Sequence, residues 1–102
     1  MTDATTALID AISVTFVTFA VESIRSRSWV SATFSGVRHE LTFRVEGEGA
    51  QDQVDLFLNG LDEAEFDLDG HILADISLIS RTVDPERLRV RISLEALTLE
   101  EG

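Results

Sequence analysis

Residues 37–46 read VRHELTFRVE, and side chains of opposite character alternate along them, broken only by His39. Val37, His39, Leu41, Phe43 and Val45 take one parity; Arg38, Glu40, Thr42 and Arg44 take the other. A period of two is the spacing of a β-strand with one covered face. The chain therefore has to build a sheet and pack something against one side of it. Residues 28–34 continue the pattern as the first arm of a hairpin, with Ser35-Gly36 as a two-residue turn. Phe34 then pairs with Val37, Ala32 with His39, Val30 with Leu41 and Ser28 with Phe43 on the apolar face. Thr33 with Arg38, Ser31 with Glu40, Trp29 with Thr42 and Arg27 with Arg44 form the polar one. A slip of one residue would exchange the faces, which fixes the register in this reading.

The remaining elements follow from shorter signals. TDATTALIDAI starts a helix with Asp3 or Thr2 as its N-cap. Residues 13–25 are rich in Val, Phe, Thr and Ile and read as a strand. The spacing of Thr15, Thr18, Glu22 and Arg25 supports the alternative of one long helix over 5–25. A helix over 50–59 buries Val54, Phe57, Leu58 and Leu61, with Gly60 in a left-handed position at its end. A strand over 71–81 turns Ile72, Ala74, Ile76 and Leu78 to one face. After an Asp-Pro turn, a last strand over 87–97 points Leu88, Val90, Ile92 and Leu94 inward. The order α-β-β-β-α-β-β predicts a single α+β domain over residues 1–102. It has one mostly antiparallel five-stranded sheet with helices packed on one face, ferredoxin-like in general type. That likeness is an analogy of fold and carries no function. No internal repeat or long linker stands out.

Composition narrows the chemistry. A chain of 102 residues buries roughly two-thirds of its unfolded surface, enough for one core without cross-links. There is no cysteine, which removes disulfides, thiolate catalysis and Cys-based zinc sites. The N-terminus has no basic leader pattern, and the apolar run over 11–21 is too short to span a bilayer. A soluble, cytoplasmic protein is expected. The net charge of −11 argues against nucleic acid, whose binding draws on phosphate neutralisation by Lys and Arg. All eight basic residues are arginine, at 25, 27, 38, 44, 81, 87, 89 and 91, and none falls in the acidic window between Val45 and Ser80.

Several constellations need weighing. Glu65, Asp67, Asp69 and Gly70 sit at positions 1, 3, 5 and 6 of a calcium loop, which makes the three acids a weak metal candidate. Position 12 is Ile76 in place of the bidentate Glu, so no cofactor or metal is expected. His71, Asp75 and Ser77 share the outward face of one strand in this reading. About 13 Å separates the first two along it, beyond triad reach. His39 falls on the apolar face and reads as a core histidine bonded through one ring nitrogen. Trp29 faces outward between Arg27 and Arg44, a composition common at interface hot spots. Arg87, Arg89 and Arg91 project together from the last strand. Leu73 and Ile79 add outward apolar side chains, and Leu97 and Leu99 leave the alternation near the C-terminus.

These features predict a non-enzymatic domain acting through homo-oligomerisation, as a dimer, or through other protein association. The contact residues would be Trp29, Arg27, Arg38, Arg44, Arg87, Arg89 and Arg91. The alternative is a module for a small anionic metabolite held by the same arginines and Trp29. No membrane partner and no catalytic residue is expected.

Overall fold

The computed structural model describes residues 3–63, 66, 68 and 70–100. Helix α1 (Ala4–Ser13) leads into strands β1 (Phe19–Val30) and β2 (Ser35–Glu46). Helix α2 (Ala50–Asn59) and a short 3-10 turn (Leu61–Glu63) precede β3 (His71–Asp84) and β4 (Arg89–Glu100). The strands form one antiparallel sheet in the order β1-β2-β4-β3. The expected five strands are therefore four, in the order α-β-β-α-β-β, and the ferredoxin-like likeness does not hold.

The miscount has one cause. Phe19–Val30 is a single strand, which the sequence reading divided into the end of one strand and the start of another. The hairpin turn lies at residues 31–34. Ser31 Oγ accepts from the backbone N–H of Phe34 at 3.0 Å, and the Ser31 N–H donates to the Phe34 carbonyl at 2.8 Å. Ser26 thus faces His39, Ile24 faces Leu41 and Trp29 faces Gly36. This register differs from the expected one by an even shift, which leaves every β2 side chain on its expected face. Alternation alone cannot separate two such registers. Gly36 is in a strand, not a turn. A Cβ there would lie 2.1 Å from the Thr98 carbonyl oxygen, so close approach of β4 requires glycine.

Both helices cover one sheet face. Asp3 caps α1 by accepting from the Thr6 N–H at 2.8 Å. Helix α1 buries Ala4, Ala7, Leu8 and Ile12. Helix α2 occupies the expected residues and buries Ala50, Val54 and Phe57. Gly60 ends it at φ −96°, outside the left-handed region assigned from sequence. The core lies between these helices and Leu41, Phe43, Val45, Val90, Ile92 and Leu94. Phe16, in the turn after α1, packs its ring against Phe43 and Phe57 at 5.6 and 5.2 Å. That turn ends the helix at Ser13 and excludes a long helix over 5–25.

The two halves of the chain repeat one plan, helix then hairpin. Strands β2 and β4 run antiparallel at the centre, so an approximate two-fold axis between them carries β2 onto β4 and β1 onto β3. Under it Val37, Arg38 and Leu41 fall on Val90, Arg91 and Leu94, the same residue types in the same order. The repeat that did not stand out in the sequence is therefore present in the fold. It is imperfect: β1 has one bulge, between Val21 and Ser23, and β3 has two, between Leu73 and Asp75 and between Leu78 and Ser80. Such irregularities on edge strands discourage open-ended pairing.

Candidate functional site

Among the described residues the second sheet face carries no helix, and its side chains form rows across the four strands. At one end Trp29, Gly36, Leu99 and Ile72 make a row, followed by Arg27, Arg38, Leu97 and Asp75. A third row is Arg25, Glu40, Glu95 and Ser77. Trp29, Leu97 and Leu99 are half-buried, and Ile72 is 49 % exposed. At the other end the residues are ionic. Arg44 contacts Glu46 at 2.6 Å and Glu22 at 3.6 Å. Arg91 pairs with Glu22, Arg89 meets Glu46 at 3.3 Å, and Arg87 reaches Asp84 at 3.8 Å from the turn. The hydrogen bond from Arg91 holds the Glu22 carboxyl below its ordinary value, and Glu22 in turn raises Arg91.

The structure thus divides the residues singled out from sequence. Arg44, Arg87, Arg89 and Arg91 belong to the ionic end, away from Trp29. Trp29, Arg27 and Arg38 lie together at the other end. Arg38 is held by Glu95 at 2.6 Å. Among the described residues, Arg25, Arg27 and Asp75 make no ion pair. A shallow cavity of about 280 Å³ opens over Arg25, Arg27, Arg38 and Glu40.

Two apolar assignments exchange places. Leu73 turns inward against the core and Ile72 turns outward. The bulge between Leu73 and Asp75 shifts the strand by one side chain and reverses its parity there. For the same reason His71 does not share a face with Asp75 and Ser77. Ile79 lies at the second bulge, 54 % exposed. The weak metal candidates Glu65, Asp67 and Asp69 lie outside the described residues. Among the described residues no cluster of three metal-ligating side chains forms. No helix among them is long and apolar enough to cross a membrane.

Under the Trp29 end, on the helix-covered face, lies a polar chain with a buried centre and an exposed end at Ser26. His39 and Thr98 are fully buried. His39 Nε2 lies 2.9 Å from Thr98 Oγ1, and Nδ1 lies 3.0 Å from Ser26 Oγ. Thr98 Oγ1 donates to the Val37 carbonyl at 3.4 Å, which leaves its lone pairs to accept from the ring. Ser26 Oγ continues to Thr5 Oγ1 of α1 at 2.9 Å. The directions fit a neutral imidazole protonated at Nε2, with Nδ1 accepting from Ser26. Burial pushes the His39 pKa down; His71 adds to this and Asp3 opposes it. His39 is thus bonded through both ring nitrogens, where sequence reasoning expected one. Ser26, Thr98 and Thr5 were not anticipated, because only the true register brings Ser26 opposite His39.

Fold and surface together define a two-helix, four-stranded antiparallel α+β domain with one open sheet face. A scan against protein-family models finds no match, and neither do searches of the curated proteins and of the solved structures.

Proposed function

We propose that this domain acts by association, with the Trp29 end of the open sheet face as its contact surface and a second copy of the chain as its partner. One observation carries the reading: polarity is inverted at that end. The covered face there holds the polar chain from Thr5 to Thr98, while the open face presents Trp29, Leu97, Leu99 and Ile72. Soluble surfaces scatter their apolar groups, and a row rimmed by arginine has the composition of an interface centre. The absence of Cys and Tyr and the full engagement of His39 by hydroxyls agree with a non-enzymatic role. Sedimentation over rising concentration should give a mass above the monomer. Ile72→Arg, at an exposed position, should lower it towards the monomer. A monomeric mass at every concentration would overturn the proposal.

A second reading, a small anion held on the same face, rests on Arg25 and Arg27, which make no ion pair among the described residues, over their cavity. The pairing of Arg38, Arg44, Arg89 and Arg91 with carboxylates weighs against it. Phosphate or citrate should raise the melting temperature of the native chain more than that of Arg27→Ala; equal shifts would remove this reading.

A further inference from the structure

The cross-strand rows define how a second copy would fit. A two-fold axis parallel to the strands, placed above the boundary between β2 and β4, lays β1 of one copy over β3 of the other and β2 over β4. Such an axis keeps each row opposite itself. Trp29 then meets Ile72, Leu99 lies over Gly36, and Arg27 faces Asp75. All of these matches occur twice, as the symmetry requires. Arg27 and Asp75 are exposed, and neither makes an ion pair among the described residues. They sit at opposite edges of one row, so neither can reach the other within a single chain, and each supplies what the other lacks.

We propose that two copies stack their open faces about this axis, with the Arg27 guanidinium of each copy seated against the Asp75 carboxylate of the other. The inference rests on the association reading above and gives it a geometry. Twist turns stacked sheets about 30° from parallel, so overlap is full only near their crossing point. A crossing over the Trp29 and Arg27 rows separates the ionic ends, where Arg44 would otherwise face Arg91. It leaves Glu40 near Glu95 in the third row, with Arg25 and Arg38 alongside. Four strands at their usual spacing span about 19 Å, and the molecule is 48 Å long. Overlap of half such a face covers on the order of 500 Å² per copy, the scale of a weak and reversible dimer.

The test uses the full chain and charge exchange. Arg27→Asp sets like charges opposite Asp75 at both contacts, and Asp75→Arg does the same against Arg27. Each single variant should raise the dimer dissociation constant about tenfold or more, as broken charge pairs at interfaces do. The double variant should return to within about threefold of the native chain. The lone tryptophan gives an independent readout: Trp29 emission should shift to the red on dilution of the native chain, at lower dilution for the singles. Circular dichroism checks that each variant is folded. A native dimer unaffected by the single changes, or not restored in the double, overturns the stacked geometry while association stands. A native chain that stays monomeric overturns both.

Discussion

The two ends of the sheet share a backbone plan and have opposite chemistry. The approximate two-fold axis carries His39 onto Ile92 and Thr98 onto Val45. At the Val45 end the covered face is apolar, with Val45, Val90 and Ile92 at 0 % exposure, and the open face is a ladder of paired ions. That is the ordinary arrangement of a soluble sheet. At the His39 end the covered face holds a polar chain and the open face holds the apolar row. Even the ties from helix to edge strand differ. Thr5 meets Ser26 through neutral hydroxyls, while Asp55 meets Arg81, at the matching place in β3, as an ion pair at 2.6 Å. The plan therefore tolerates either chemistry in its interior. What singles out the His39 end is its exterior.

The largest effect should come from the ordinary end. Phe43 is fully buried and packs its ring 4.8 Å from that of Phe19. Phe43→Ala should cost about 3–5 kcal/mol in urea unfolding, the range for aromatic truncation in a core. A loss below about 1 kcal/mol would mean that the aromatic cluster is not the anchor of the fold.

The polar end should respond less and in a different way. Thr98→Val leaves the His39 Nε2–H buried without its acceptor, which should cost about 1–3 kcal/mol. Adding His39→Ile installs the pair found at the opposite end and removes the stranded donor. The double variant should therefore recover much of the loss, with a coupling of about 0.5–3 kcal/mol in the cycle. Additive losses would show that the hydrogen bond contributes nothing and that only volume matters.

The same pair sharpens the comparison through pH. The folded His39 pKa lies below the ordinary 6.5, with His71 and Asp3 as the charged neighbours that act on it. Below about pH 6.5 the unfolded chain binds the extra proton first. Stability from this group is thus full above that value and falls as pH drops towards the folded pKa. The slope is at most about 1.4 kcal/mol per pH unit. In the His39→Ile, Thr98→Val variant this component should vanish from melting curves recorded between about pH 7 and 5. An unchanged slope would assign it to another group.

Much of the fold could be read from sequence, for reasons that also mark the limit. Helix α2, the faces of β2 and the burial of Val90, Ile92 and Leu94 follow from periodicity, which is a local property. The register of the first hairpin does not, because an even shift satisfies the same pattern. Its true position depends on the Ser31 turn and on Thr98 approaching Gly36 from β4. The parity of Ile72 and Leu73 depends on a bulge that no residue type announces. The candidate surface is half legible: alternation turns Trp29 outward, as the structure does, and marks Leu97 and Leu99 as exceptions, but it turns Ile72 inward. The duplication was hidden because only a few positions, such as Val37 with Val90 and Leu41 with Leu94, keep their identity while the two ends differ in chemistry.

The smallest expected effect concerns the ionic ladder. Glu22 sits at the β1 bulge and is shared by Arg91 and Arg44. Its depressed pKa means that the stability it contributes is present above its ordinary 4.5 and is lost as pH falls through the lower folded value. The site is open to water, where counter-ions screen such pairs and their net worth is small. Glu22→Gln should therefore lower the melting temperature less than Thr98→Val does, and the difference should shrink in high salt. It should also leave self-association unchanged, since the stacked arrangement separates this end from its counterpart. A loss as large as that of Thr98→Val and insensitive to salt would make the ladder part of the framework, and the contrast between the two exteriors would lose its meaning.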